Sequence, residues 1–206
     1  MSPRRPIDVR RAAPVLGAWV LLAVVSGCSG EPTTAEPDRV GPSAQPTSAA
    51  SQPAPVRTQV SIVRATGRLD EAARQHLREQ VGAVLDTWID AAYGGDYPRL
   101  DFSAAFDAFT EEAQQRARGD RALLSNAVVG GELDESRAVR RQVRLDVLAV
   151  DGTAVGVTAR VDLLLELSGA VTRRERVWGS LLLTYERTSG AAKWRVFGYD
   201  LRRREA

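Results

Sequence analysis

Apolar residues recur at steps of three and four along residues 68–93, which predicts one long amphipathic helix. Thr66 is the expected N-cap, and Gly94 with Gly95 ends the helix. A second helix is expected to begin at Ser103 and to carry Phe106, Phe109, Ala113 and Ala117. A short third helix is expected around residues 120–126. The first half of the folded region is therefore predicted to be helical.

From about Val139 the apolar period changes to two, which is typical of strands with one buried face. The alternation predicts four strands joined by short turns, and so an antiparallel meander. Its apolar positions include Val143, Leu145, Val147, Val157, Leu163, Val177, Leu181 and Leu183.

The first strand connection contains Asp151 and Gly152, a typical hairpin pair. A regular two-residue loop would place the apolar stripes of the two strands on opposite faces, because a one-residue shift inverts a strand. A three-residue loop over 150–152 would pair Val147 with Val155 and Leu145 with Val157. We therefore expect that loop, with Gly152 left-handed in a β-bulge.

Helices followed by a meander predict an α+β domain over residues 57–206, with N-terminal helices packed on a curved four-stranded antiparallel sheet. This layout resembles the NTF2-like superfamily. The resemblance is carried by the first helix ending at residues 95–97, the Phe106 and Phe109 helix, and the closing segment 194–197. It implies an NTF2-like or cystatin-like cone, with a short strand at 127–129. The layout is also similar to actinobacterial proteins associated with Mce lipid importers.

Residues 1–27 have the three parts of a signal peptide: four arginines, an apolar run over 14–25, and small residues. The motif Val25-Ser26-Gly27-Cys28 resembles the bacterial lipobox. The resemblance implies cleavage between Gly27 and Cys28 and a diacylglyceryl group on the Cys28 thiol. An ordinary signal peptide and a retained helix are the alternatives, although the apolar run is shorter than the roughly 20 residues that a span needs.

Residues 28–56 are rich in Pro, Ser, Thr and Ala and contain no aromatic residue. Such a segment buries too little apolar surface to offset its ordering entropy, so we expect a disordered tether. Pro-rich chains extend by up to about 3.1 Å per residue, which gives the domain a long reach from the membrane.

Charge argues against nucleic acid as a partner. The chain holds 28 basic and 26 acidic residues, but residues 1–27 contribute four arginines and one aspartate, which leaves 24 basic and 25 acidic residues. The basic excess therefore belongs to the leader, and the general electrostatic signature of nucleic-acid binding is weak.

The sequence offers no catalytic constellation. Cys28 is the only cysteine and His76 the only histidine, so neither a disulfide nor a Cys–His nucleophile pair is available within the domain. A zinc site would have to be built from carboxylates. We therefore predict no catalytic residues, no metal site and no cofactor, with His76 in a structural or solvated position.

Two groups of residues are candidates for binding. Asp96, Tyr97 and Asp101 are placed where a loop would close the mouth of the cone. Leu148, Leu164, Trp178 and Leu182 are expected on the outer sheet face, as an interface for a homodimer or an envelope protein. Three arginine clusters, at residues 137–144, 173–176 and 202–204, suggest either anionic headgroups or a solvated face balanced by carboxylates.

The expected function is a non-enzymatic binding or accessory role. The protein would be anchored by diacylglyceryl-Cys28 on the extracytoplasmic face of the cell membrane. The alternatives are a docking subunit of an envelope transporter such as an Mce system, and an NTF2-like enzyme with an acid–base group inside the cone.

Overall fold

The computed structural model describes residues 56–170, 172–188 and 191–206. The predicted leader, the predicted cleavage site at Gly27 and Cys28, and nearly all of the 28–56 segment lie outside the described residues. The described helices are α1 (Glu71–Tyr93), a 3-10 helix (Ser103–Phe106), α2 (Glu111–Gly119) and α3 (Arg121–Leu124). The described strands are β1 (Gln59–Thr66), β2 (Leu133–Val150), β3 (Thr153–Gly169), β4 (Arg173–Thr188) and β5 (Ala191–Glu205).

The five strands form one mixed sheet in the order β1-β2-β3-β4-β5. Strands β2 to β5 are the antiparallel meander, whereas β1 pairs in parallel with β2 at the sheet edge. The α+β class is confirmed. The expectation of a four-stranded, wholly antiparallel sheet preceded by helices is wrong, because β1 precedes α1. Its alternation is short, with Val60 and Ile62 only half-buried, so the pattern is weak.

The N-cap of the first helix lies four residues later than predicted. Thr66 is the last residue of β1, and Gly67 follows with φ of +93°, a conformation that glycine adopts without strain. Asp70 is the N-cap, and its carboxylate accepts a hydrogen bond of 2.7 Å from the backbone N–H of Ala73. Threonine and aspartate are both common N-caps, and the sequence alone did not show that Asp70 rather than Thr66 has this role.

The second predicted helix is divided into two. Ser103 begins the short 3-10 helix, and α2 begins only after Thr110, whose hydroxyl accepts a hydrogen bond from the N–H of Ala113. The third helix is confirmed as α3. The strand suggested at 127–129 is wrong, since these residues lie in turns that close on the carbonyl of Asn126.

The β2–β3 hairpin places the apolar stripes of both strands on one face, as expected, but in another register. The predicted pairs Val147–Val155 and Leu145–Val157 are wrong, since Val147 pairs with Val157 and Leu145 with Ala159. Asp151 and Gly152 form a two-residue turn with φ of 49° and 78°, so the predicted three-residue loop is wrong. The register then slips at Val155, an extra residue that lies between the Ala149–Ala154 and Leu148–Gly156 pairs. A two-residue turn alone would place the apolar stripes of β2 and β3 on opposite faces. The extra residue shifts β3 by one position, so that both stripes lie on the buried face, where Val147 pairs with Val157.

The core lies between α1 and the inner sheet face, which is the face that α1 covers. Trp88 has no exposed surface, and its indole N–H donates a hydrogen bond of 3.3 Å to the carbonyl of Leu124. Phe106 is also buried and meets Phe109 edge to face. The burial of Trp88 and Phe106 agrees with the apolar periodicity of the two predicted helices.

Candidate functional site

A buried polar cluster lies where the end of α1, the loop after α3 and strands β4 and β5 meet. At its centre is Glu175, which is 4% exposed. Its carboxylate accepts hydrogen bonds from Arg173 and from Arg203 of the neighbouring strand, one arginine at each oxygen. Both carboxylate oxygens are therefore bonded to guanidinium groups.

Arg203 connects this carboxylate to α3 and to the loop after it. Its guanidinium donates to the backbone carbonyls of Ala122 and Ser125, the latter at 2.5 Å, and to the side-chain oxygen of Asn126 at 2.8 Å. One arginine thus holds a strand and a loop together, with charge-assisted hydrogen bonds that are stronger than neutral ones.

Asn126 continues the cluster towards α1. It is fully buried, and its amide donates to the hydroxyls of Tyr97 at 2.9 Å and Ser136 at 3.0 Å. The Tyr97 hydroxyl donates in turn to the carbonyl of Tyr93 at 3.2 Å. Burial raises the pKa of the Tyr93 hydroxyl far above its usual range, so this phenol stays protonated.

Sequence reasoning did not find this cluster, although the signal was present. Alternate residues of a strand share one face of the sheet. Glu175 therefore lies on the same face of β4 as the buried residues Val177 and Leu181, and Arg203 lies on the same face of β5 as Leu201. Two opposite charges on inward positions of neighbouring strands indicate a buried ion pair. The apolar positions named for the meander therefore left out two charged residues that share their face.

A surface groove of about 450 Å³ lies beside the loop that precedes α2. The buried rings of Phe102 and Phe106 contribute apolar lining. Charged side chains at the groove are Asp101, Asp107, Arg118 and Arg121. The groove thus combines aromatic surface with both signs of charge, which suits a small molecule with an apolar body and polar ends.

The loop at the groove is fixed by close packing on Arg99. The guanidinium lies 4.1 Å from the centre of the Phe102 ring and donates to the carbonyl of Ala91 at 2.8 Å. The backbone of Arg99 donates to Gly130 at 2.8 Å. A Cβ at Gly130 would lie 2.5 Å from the Arg99 carbonyl oxygen and 2.6 Å from the Phe102 ring, so only glycine permits this approach.

The three predicted residues of the pocket mouth have separate positions. Asp101 lines the groove, and the N–H of Ser103, at 2.8 Å, lowers the pKa of its carboxyl. Tyr97 belongs to the buried polar cluster. Asp96 is exposed and lines neither the groove nor the cluster. The structure therefore does not bring these three side chains together.

The predicted apolar interface lies on the outer sheet face but is interrupted by charge. Leu164, Trp178 and Leu182 are partly exposed and Leu148 is 50% exposed. By register, the row holding Arg144, Arg160, Ser180 and Asp200 separates Leu164 and Trp178 from Leu182 and Leu148. The four residues do not form one continuous apolar patch.

No protein-family model, no curated protein and no solved structure matches the chain. None of the described helices is both long and apolar enough to span a membrane. Among the described residues, no three His, Cys, Asp or Glu side chains are grouped so that they could hold a metal ion.

Proposed function

We propose that the protein is a lipoprotein anchored by Cys28 on the extracytoplasmic face of the membrane, whose domain has a non-enzymatic binding or accessory role. The Val25–Cys28 motif supports the anchor, and the Pro-rich segment after it supports a tether. The layout of one long helix over a meander supports an NTF2-like domain. The parallel strand β1 departs from the layout that this resemblance implies.

The pairing of Glu175 is the observation that carries the non-enzymatic role. A general base needs a carboxylate that is free to accept a proton from a substrate. Both oxygens of Glu175 are instead bonded to arginines, and Arg203 is itself bonded to the α3 loop. This arrangement stabilises the fold and makes the buried Glu175 unsuitable as a general base. We place the binding role at the separate groove beside Phe102 and Phe106.

Membrane anchoring is tested with the full chain in a bacterium that processes lipoproteins. Membrane pellets are extracted and partitioned between detergent and water. The native chain should enter the detergent phase and Cys28→Ser should not, because serine cannot form the thioether. Ser26→Ala keeps a small residue before the cysteine and should behave like the native chain. Equal partitioning of Cys28→Ser and the native chain would refute the anchor.

Binding at the groove is tested by native mass spectrometry of the processed chain purified from the same envelope. The native protein should carry a mass that leaves on activation, and Phe106→Ala with Arg121→Ala should carry less of it. Arg187→Ala, at an exposed position outside the groove, is the matched control. A bare chain in every sample would overturn the small-molecule role and favour docking onto an envelope transporter.

A further inference from the structure

Members of all three arginine clusters lie together on one patch of the outer sheet face. We name this patch the arginine block. It consists of three neighbouring rows of outward-facing residues, each row being one set of cross-strand partners from β2 to β5. The rows are Arg140, Leu164, Arg176 and Arg204; Gln142, Asp162, Trp178 and Arg202; and Arg144, Arg160, Ser180 and Asp200. The block therefore holds six arginines and two aspartates and is strongly positive.

Three of these arginines have no acidic counterpart in the part of the chain that the structure describes. Arg140 and Arg176 share Asp162, at 3.1 Å and 2.9 Å, and Arg160 pairs with Asp146. No carboxylate of the described residues lies within 4.0 Å of Arg144, Arg202 or Arg204. Arg204 also stands directly opposite Arg176, and like charges across strands destabilise a sheet. An external anion would relieve this repulsion.

Trp178 lies among these arginines. Its ring centre is 5.5 Å from the Arg176 guanidinium carbon and 5.2 Å from that of Arg204, and Arg202 is its cross-strand partner. The ring also lines a depression of about 260 Å³ together with Arg144, Arg160 and Ser180. Tryptophan with arginine is the composition that favours the boundary between lipid headgroups and acyl chains.

We propose that the arginine block binds the surface of a bilayer that contains anionic phospholipids, with Trp178 at the headgroup level. This deepens the proposed function, since the anchor keeps the block within reach of the bilayer. A second copy of the chain is a poor occupant because two positive faces repel each other. The partly exposed Leu164 supplies apolar surface beside Trp178.

The test uses residues 51–206, a piece that includes every contact described above and whose described residues belong to one compact unit. This piece lacks Cys28, so its result does not depend on lipidation, and failure of the anchor is detected separately by the detergent partitioning. Vesicles of phosphatidylcholine alone are compared with vesicles that also contain phosphatidylglycerol. The native piece should sediment with the mixed vesicles only, and added salt should weaken binding.

Two triple variants that lose the same charge show whether binding depends on the arginine block or only on the net positive charge of the piece. Replacing Arg144, Arg202 and Arg204 by Gln should weaken binding to the mixed vesicles by roughly a hundredfold, since each surface arginine contributes about fivefold. Replacing the exposed Arg57, Arg68 and Arg187 by Gln should change it much less. Thermal unfolding of each variant confirms that it is folded.

Fluorescence reports where Trp178 lies. In residues 51–206 the other tryptophans, Trp88 and Trp194, are 0% and 4% exposed, so Trp178 should dominate any shift. Emission should move to shorter wavelength on the mixed vesicles, and Trp178→Phe should remove the shift while binding remains. The proposal is overturned if the native piece does not bind vesicles that contain phosphatidylglycerol, or if both triple variants bind them equally. It is also overturned if the block binds an acidic protein but no bilayer.

Discussion

Arg203 and Glu175 form a buried ion pair between neighbouring strands, on the side of the sheet that faces the helices. The guanidinium also donates to the carbonyl of Ala122 in α3, and to the Ser125 carbonyl and the Asn126 side chain in the loop after it. This arginine therefore joins the sheet to the helical layer, at the end of the domain where the groove also lies.

Replacing Arg203 by Met should destabilise the domain strongly. The change leaves Glu175 with one partner and removes the donors to the α3 loop, and breaking a buried pair typically costs about 3–5 kcal/mol. Urea unfolding followed by far-UV circular dichroism measures the free energy of unfolding. Arg78→Met removes an exposed pair with Glu71 and should cost only about 0.2–1 kcal/mol. Equal costs for the two variants would mean that the buried cluster contributes no special stability.

Gly130→Ala should destabilise the protein because the added methyl group would lie 2.5 Å from the Arg99 carbonyl oxygen. The Phe102 ring, 2.6 Å from the same point, would also have to shift, which alters the groove. Overpacking of this kind costs about 1–3 kcal/mol. Gly119→Ala is the matched control, since nothing lies within 4 Å of its Cβ position. Thermal melts should show a lower midpoint for Gly130→Ala and none of this loss for Gly119→Ala.

Asp70→Ala should lower stability by about 1 kcal/mol, the usual cost of losing a side chain that caps a helix. Thr66→Ala should cost less, because Thr66 is exposed at the end of β1 and makes no capping bond. Chemical unfolding of the two variants compares the observed N-cap with the one predicted from sequence. A larger loss for Thr66→Ala would contradict the helix start seen in the structure.

Strong periodicity made much of the fold predictable. The spacing of Leu77, Val81, Leu85 and Trp88 marks α1, and the two-residue alternation marks the meander. Strand β1 was not predictable in the same way, because an edge strand that is half-buried has little alternation and its parallel partner lies far along the chain. The alternation predicted that the apolar stripes of β2 and β3 share a face. It did not predict the bulge at Val155 that aligns them, because the position of the bulge depends on the geometry of the turn as well.

The sites were less predictable than the fold because they depend on which residues meet across strands. Asp101 lines a groove, but the Tyr97 hydroxyl accepts a hydrogen bond from Asn126 and belongs to the buried cluster. The arginine clusters are plain in the sequence, whereas only the strand register shows which of their members lie together around Trp178. Long-range pairing is the information that local patterns lack.

Stability should fall in acid partly because of Glu166 on the outer sheet face. Hydrogen bonds from Arg137 and then Arg174, at 2.5 Å, hold the pKa of this carboxyl below its usual value. A carboxyl with a lower pKa in the folded state binds fewer protons there than in the unfolded chain. Its contribution is therefore present above the ordinary glutamate pKa of about 4.3 and is lost as the pH falls through and below that value.

Glu166→Gln removes this contribution at every pH. The variant should be less stable than the native protein near neutral pH, and the difference should shrink as the pH falls below about 4. Urea midpoints measured across this range test the sign. Glu132→Gln changes an exposed carboxylate that forms no ion pair among the described residues, so its difference from the native protein should stay small. A gap between Glu166→Gln and native protein that widens in acid would show that the arginines do not stabilise the ionised carboxylate.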